Sequence, residues 1–335
     1  MSLMDSLEAR AKACPQRVAF PEGDDETMMR AAAELVERGI CSSILVGDET
    51  ELRRLASERG IDPETFSYVD TTDEDGAAAC AEAYAALPNT ILGVKPATRR
   101  AKKPLTRAMM EQALDRADIS FAGITASTGD VIAAGQQIVG LAPGITTPSS
   151  VGIFEIPGYE GSEGNLLGFG DSAVCQNPNV EQLASIAISC CDTVAALTQW
   201  EPRCAMLSYS TCGSGEGELV DKVVAARDLA NELRPDLAID GEFQLDSAIN
   251  PRTAAKKVTR ESKVAGRANI VIWPDLNVGN IGVKLVQNFA HADAYGPMLQ
   301  GFNKIVCDCS RSAGVSEICG NVVMSCVRAV ALKRE

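Results

Sequence analysis

One histidine, His291, stands in a chain of 335 residues, and aromatic side chains make up only 4% of it. A lone imidazole leaves little from which to build a metal centre or a serine–histidine nucleophile. His291 lies in FAHADAYGP at an expected helix end, where histidine is more often a cap or a surface residue than a base. No serine nucleophile elbow is present. No glycine-rich loop closes on Gly-Lys-Ser/Thr, so an ATPase of the P-loop type is excluded. PEGDDE, after the first expected strand, offers one glycine in place of a GxGxxG, which argues against a dinucleotide site. Positive charge is also short: 31 basic against 45 acidic residues give a net charge of -14. With no basic face, nucleic acid is not an expected partner. MSLMDSLEARAK lacks the apolar core of a signal peptide, and glycine, proline or charge interrupts each apolar run, so neither export nor a membrane span is expected. A cytoplasmic location fits these absences.

Cysteine runs the other way, with 12 residues. Most lie inside apolar runs such as ISCCDTV (Cys190, Cys191) and NVVMSCV (Cys326), where cysteine behaves as a small hydrophobe. Cys307, Cys309 and Cys319 come nearest to a metal motif, but no second spaced pair accompanies them. Neither zinc nor a disulfide framework is expected, and a reducing compartment suits the composition.

The length predicts two domains. Short apolar runs (RVAF, SSILVG, FSYVD, ISFAGI) alternate with helical periods such as Glu26–Arg38, where Met28, Met29, Ala32, Leu35 and Val36 share one side. That alternation indicates a mostly parallel sheet. A second α/β set starts near residue 148 with VGIFEI, and TTPSS (Thr146–Ser150) is the candidate hinge. Helices are expected over Glu74–Ala86, Thr106–Ala117, Val180–Thr198, Glu218–Leu233, Gly282–Ala290 and Glu317–Leu332. Parallel sheets bind ligands beyond the carboxyl ends of their strands. Four such ends empty into small and polar residues: SYSTCGSGEG, IDGEFQLD, PDLNVGN and DCSRSAG. The first has serines, threonine and glycines ahead of a helix, whose amides could hold a phosphate. In the last, an arginine among small residues is suited to gripping a planar oxyanion.

The runs AMLSYSTCGSGEGELVDKV, RPDLAIDGEFQLDSAINP, SKVAGRANIVIWPDLNVGNIGVKLVQ and AYGPMLQGFNK, with VAFPEGDDETMMRAAAELVERGICSSILVGD near the start, resemble the phosphate acetyltransferase and phosphate butyryltransferase family. The likeness is dense from about residue 136 onward. It implies two α/β/α sandwich domains with a cleft between them, of the isocitrate/isopropylmalate dehydrogenase-like type. Residues 1–147 and 300–335 would form the first domain and 148–299 the second. It further implies a homodimer and reversible transfer of a short acyl group, acetyl in the better-matching branch, between CoA and phosphate. CoA would be a substrate, with no bound cofactor or metal in the chemistry. The alternatives are a propionyl- or butyryl-specific phosphate acyltransferase, a non-catalytic acyl-CoA or acyl-phosphate binding homologue, and a structural homodimer subunit.

Matched residue by residue, the resemblance places the catalytic role on Ser310, Arg311 and Glu317. Serine and arginine would bind the acyl phosphate and the acid would act on the CoA thiol; glutamate replaces the family's usual aspartate there. Ser127, Thr128, Asp130, Ser210, Thr211 and Asn280 would bind substrate. The family's first-domain motif falls on ASTGDVIAAGQQIVG, where Ala126 replaces a histidine and Ala133 an arginine. A phosphate that loses an arginine needs another donor. Arg99 and Arg100, in the basic run RRAKK, are the candidates, with Lys102, Lys103 and Arg107 nearby.

Overall fold

The structure is a computed structural model and describes residues 2–88 and 90–333. The chain divides into two compact units, Met1–Gly140 with Phe302–Glu335, and Leu141–Gly301. In the first, the chain runs through α1 (Leu3–Ala13), β1 (Gln16–Phe20), α2 (Glu26–Glu37), β2 (Cys41–Gly47), α3 (Glu49–Glu58), β3 (Ser67–Asp70), α4 (Glu74–Ala85), α5 (Val94–Ala101), α6 (Pro104–Ala113), β4 (Ile119–Phe121) and α7 (Thr128–Ile138). The second unit holds β5 (Ser149–Glu155), β6 (Leu166–Gly170), α8 (Val180–Thr198), β7 (Arg203–Leu207), α9 (Glu218–Leu233), β8 (Ala238–Phe243), α10 (Leu245–Ile249), α11 (Pro251–Lys257), β9 (Ile270–Ile272), α12 (Leu276–Ala290) and β10 (Asp293–Gln300). The chain then returns to the first unit with β11 (Ile305–Cys307) and α13 (Val315–Leu332).

The first sheet has the order β11-β4-β1-β2-β3, and every pair in it is parallel. Val18, Ala19 and Phe20 of β1 are fully buried, as expected of a strand covered on both faces. Helix α2 follows because Asp25 caps it, its carboxylate accepting the Met28 N–H at 3.0 Å. Met28, Met29, Ala32 and Leu35 then recur at helical spacing and bury one face. Each large apolar side chain so buried contributes about 1.5–3 kcal/mol.

The second sheet, β10-β5-β6-β9-β7-β8, is mixed: the β10–β5 and β5–β6 pairs are antiparallel, and the β6–β9, β9–β7 and β7–β8 pairs are parallel. Its core stacks Phe169 on Trp273 at 5.4 Å and sets Phe154 edge-on to Phe169 at 4.8 Å. Helix α12 begins at Leu276, capped by Asp275, six residues before the start read from the sequence. Gly279 and Gly282 explain the difference. A Cβ on either would approach the Trp273 ring to 2.9 Å, so the glycines that read as a loop are what admit the helix onto the ring.

TTPSS is not a linker: Ser149 and Ser150 are buried in β5, where Ser149 accepts from Gln300 and Ser150 donates to Asp171. The chain passes between units at 140/141 and 301/302, beside Gly140 and Gly301, both at positive φ. Helices Val180–Thr198 and Val315–Leu332 are long and apolar enough to cross a membrane by length and composition, contrary to the expectation that no window would be. In this fold they are core helices, and α8 buries twelve of its 19 positions.

Candidate functional site

In the first unit the chain leaves β1 to build β2 and β3 on one side, then crosses back to place β4 on the other. The β1/β4 junction is therefore the switch point, where the two loops diverge. Register puts β11 beside β4, with Cys307 opposite Phe121. Three carboxyl ends thus lie side by side, and they carry PEGDD, AGITAS and DCSRS.

Glu22 closes the junction. Its Oε2 accepts the Gly123 and Ile124 N–H groups at 2.8 Å each. Its Oε1 accepts the Ala126 N–H at 2.7 Å, the Thr125 N–H at 3.3 Å and the Thr125 hydroxyl at 2.8 Å. A buried carboxylate thus fixes four consecutive amides of the loop that leads into α7. Nothing in PEGDD marks Glu22 as such a tie, because its partners lie 101 to 104 residues away.

Helix α7 opens on Ser127 in a capping box. Ser127 Oγ donates to Asp130 Oδ2 at 2.6 Å and accepts the Asp130 N–H at 3.1 Å. Those bonds hold the Asp130 carboxyl below its ordinary range, with a smaller contribution from the nearby Arg311 charge. Ser127 and Asp130 therefore satisfy one another, whereas Thr128 is exposed and turns to the neighbouring strand end: its hydroxyl donates to Asp308 Oδ2 at 2.5 Å. Asp308 follows β11. Its Oδ1 is shut off from solvent without a hydrogen-bond partner, packed so close to Gly123 that a Cβ there would stand 2.3 Å away. Burial raises the Asp308 carboxyl, Thr128 and the Cys309 N–H oppose the rise, and the Glu22 charge adds to it.

Ser310 and Arg311 are exposed on the loop that follows, where the Ser310 and Ser312 hydroxyls share a hydrogen bond of 2.9 Å. Glu317 is exposed in the first turn of α13. Among the described residues, Arg311 has neither an ion-pair nor a hydrogen-bond partner. Thr128, Asp130, Asp308 and Arg311 are thus neighbours, and Ala133 is exposed further along α7. Arg99 and Arg100 lie on α5 and make no ion pair with this group among the described residues. Two of the flanking cations are engaged, Lys102 with Glu74 at 2.5 Å and buried Arg107 with Glu111 at 2.7 Å, while Lys103 is exposed. A cavity of about 470 Å³ also opens at the ends of β1 and β2, but Glu22, Asp24, Asp48 and Glu51 line it, an unfavourable surround for an anion.

The second-unit candidates behave differently. Ser210 is fully buried and donates to Glu242 at 2.8 Å, while Thr211, 3% exposed, accepts the Gln244 N–H at 2.9 Å. Glu242 also accepts the Gly213 N–H, and Ser210 the Gly215 N–H. The SYSTCGSGEG amides expected to cradle a phosphate are thus largely satisfied within the loop. Asn280 is exposed on α12, its amide donating to the Ser172 carbonyl at 3.4 Å. All twelve cysteines are free thiols. Among the described residues, no group of three or more His, Cys, Asp or Glu is placed to hold a metal ion.

The sequence profile of the phosphate acetyl/butaryl transferase family matches residues 2–326. The chain belongs to this family. Members similar to it include proteins named phosphate acetyltransferase from Clostridium acetobutylicum, 38% identical with 98% of this chain and 99% of that one covered, and from Corynebacterium glutamicum, 37% identical with 96% of each covered. A phosphotransacetylase structure from Streptococcus pyogenes superposes with a TM-score of 0.90 at 33% identity, covering 98% of this chain and 99% of that one. Membership of the phosphate acetyl/butaryl transferase family makes the protein an enzyme of the transferase class, and the match agrees with the mixed α/β fold in two units.

Proposed function

We propose that the protein transfers an acetyl group reversibly between CoA and inorganic phosphate, acetyl-CoA plus phosphate giving acetyl phosphate plus CoA. Its similarity at 37–38% identity to proteins named for the acetyl reaction supports this acyl group over propionyl and butyryl. CoA is then a substrate, no cofactor is held, the protein is cytoplasmic, and the working form is a homodimer. The thiolate attacks the acyl carbon directly, the S–C bond forms, and the C–O bond to phosphate breaks with its electron pair leaving on phosphate. Arg311 neutralises the phosphoryl group, and Ser310 donates to an oxygen of the acyl phosphate. Glu317 stands in the first turn of α13, the helix that follows this loop. Ser127, Thr128 and Asp130 shape the phosphate side, and Arg99 and Arg100 meet the CoA phosphates in place of the arginine that Ala133 lacks.

One observation carries the reading. Arg311 is an exposed guanidinium that makes no ion pair among the described residues, in a chain of net charge -14, next to a hydroxyl-bearing helix start whose Asp130 feels its charge. In so acidic a protein, a solitary arginine at a strand end is poised for an external anion. The test is thioester formation from CoA with acetyl, propionyl and butyryl phosphate, for the unsubstituted protein and for Arg311→Ala and Arg311→Lys. Acetyl phosphate should be preferred. Alanine should raise KM for it tenfold or more, about 1.4 kcal/mol, and lysine should fall between because it replaces a fork by a point charge. Unchanged kinetics in Arg311→Ala would return this residue to the protein surface.

A further inference from the structure

Strand order marks a further place where a ligand can sit. In the sheet of the second unit, β9 leads through α12 to β10 at one edge, whereas its neighbour β7 leads through α9 to β8 at the other. Their carboxyl ends lie level, with Met206 opposite Ile272. Connections that part in opposite directions open a crevice between two such ends.

Two side chains at that junction are held in place without being covered or neutralised. Tyr209, two residues beyond β7, is 56% exposed, yet it is not free to swing. Its hydroxyl donates to the Glu216 carbonyl at 2.9 Å. A Cβ on Gly215 would come within 2.9 Å of the ring edge, and one on Gly217 within 3.4 Å of the hydroxyl. The loop lies against the ring because those positions are glycine. It is itself braced, Ser210 exchanging hydrogen bonds with Gly215. The other side chain is Lys222 on α9. Its ammonium reaches across the junction to the Pro274 carbonyl after β9 at 3.0 Å, and to Asn177 Oδ1 after β6 at 3.3 Å. Both acceptors are neutral, and among the described residues Lys222 makes no ion pair. Its charge is positioned but not cancelled, with a donor to spare. Lys222 follows Gly217, the N-cap of α9, by five residues, which is about 7.5 Å of helix axis.

Building on the acyl-transfer reading, we infer that this junction holds the adenosine end of CoA, the adenine stacked on the Tyr209 ring and the ribose phosphate on Lys222. The charges select that ligand. Glu216, whose carbonyl ties the ring, and Glu218, which opens α9, are both exposed. They disfavour a phosphate at the ring and accept from an amino group, which adenine carries. Asp221 is exposed on α9, and Asp275 is spent on capping α12, accepting the Val278 N–H at 3.1 Å. A single ammonium is a point charge, suited to a terminal phosphate monoester. Because ring and ammonium are already fixed, little side-chain freedom is lost on binding. Both residues touch the nucleotide, and neither takes part in the chemistry.

Calorimetric binding of CoA and of dephospho-CoA, which lacks the ribose phosphate, tests this without turnover. Tyr209→Ala should weaken both by about tenfold, the scale of base–aromatic stacking. Tyr209→Phe, which keeps the ring, should stay within about threefold. Lys222→Gln should abolish the preference for CoA over dephospho-CoA. Lys222→Arg should keep that preference, and so should the Arg99→Gln, Arg100→Gln double variant. In the thioester-forming assay, KM for CoA should rise in step with the binding constant while kcat holds, as for contacts equal in ground and transition states. Should Tyr209→Ala fail to fold, Tyr209→Leu, which fills the space without a π face, should show the same loss. A preference for CoA that survives in Lys222→Gln, or dephospho-CoA binding unchanged in both Tyr209→Ala and Tyr209→Leu, overturns the inference. The expected binding changes in a protein that forms no thioester would overturn the acyl-transfer reading and leave the adenosine site standing. Thioester formation without those changes would overturn the site alone.

Discussion

Replacing Glu22 by glutamine changes one atom and should loosen the loop that feeds the site. The carboxylate accepts five hydrogen bonds: two on Oε2, from Gly123 and Ile124, and three on Oε1, from Ala126 and from the Thr125 amide and hydroxyl. Glutamine keeps one acceptor oxygen and turns the other position into a donor facing donors. An unsatisfied buried donor costs about 1–3 kcal/mol, so losing two or three of them costs about 2–9 kcal/mol before relaxation. Gly123 is buried, whereas Thr125 is exposed and can turn to water. The amide will therefore keep its oxygen on the Gly123 side, which places the cost near about 2 kcal/mol. The two units need not unfold together, so one global unfolding curve is the wrong measure. Hydrogen exchange at the Gly123, Ile124 and Ala126 amides reads the loop directly, and about 2 kcal/mol corresponds to exchange about 30-fold faster. Glu22→Asp, one methylene shorter, should fail to span both pairs and fall between. Exchange in Glu22→Gln within about threefold of the unsubstituted protein would refute the claim that this carboxylate holds the loop.

Two further outcomes follow from the geometry. Substituting Arg99 and Arg100 together by glutamine should weaken CoA binding by tenfold or more, about 1.4 kcal/mol, with circular dichroism unchanged; if instead binding is unaffected and Ala133→Arg raises activity, these arginines do not replace the missing one. Asp118 should make stability pH-dependent: burial alone would raise its carboxyl, but hydrogen bonds from the Arg17 side chain and N–H and from Lys333 hold it well below the ordinary range. A lowered folded value stabilises above the unfolded pKa of about 3.9 and is lost as pH falls below it. Asp118→Asn should therefore cost about 1–2 kcal/mol near neutral pH, reduced by the half-exposed cations, and nothing in strong acid by chemical denaturation; an equal deficit at both pH values would count against the ion pair.

The parts of the fold legible in the sequence are those whose signal is local. Asp25 followed by Met28, Met29, Ala32 and Leu35 announces α2 because cap and apolar stripe lie within one helix. What escaped depends on distant partners. Helix α7 carries Gly129 and Gly135, poor helix formers, yet a Cβ at Gly135 would meet the Phe302 ring at 2.9 Å. Helix α5 buries only Ala97 and Ala101, too faint a stripe to separate it from a basic loop. Strand β10 contains Gly296 and Pro297 and reads as a turn; it survives as a strand because it lies at the sheet edge, where the lost donor is tolerated.

The same distinction separates the candidate residues. DCSRS was visible as polar residues at the end of an apolar run, but the sequence could not rank its carboxyl groups. The structure ranks the strand-end acids by what fills their lone pairs. Glu22 takes four amides and a hydroxyl, Asp171 the Ser150, Ala173, Val174 and Cys175 amides with the Ser150 hydroxyl, and Glu242 the Gly213 amide with the Ser210 hydroxyl. Each ties a loop through the groups it accepts from. Asp308 stands apart, with an unpartnered oxygen behind and only the Thr128 hydroxyl and the Cys309 N–H to oppose its burial. Burying an anion so poorly supplied with donors is costly, and taking a proton relieves the cost. Asp308 is thus the strand-end acid whose burial favours its neutral form, while the other three hold the loops still.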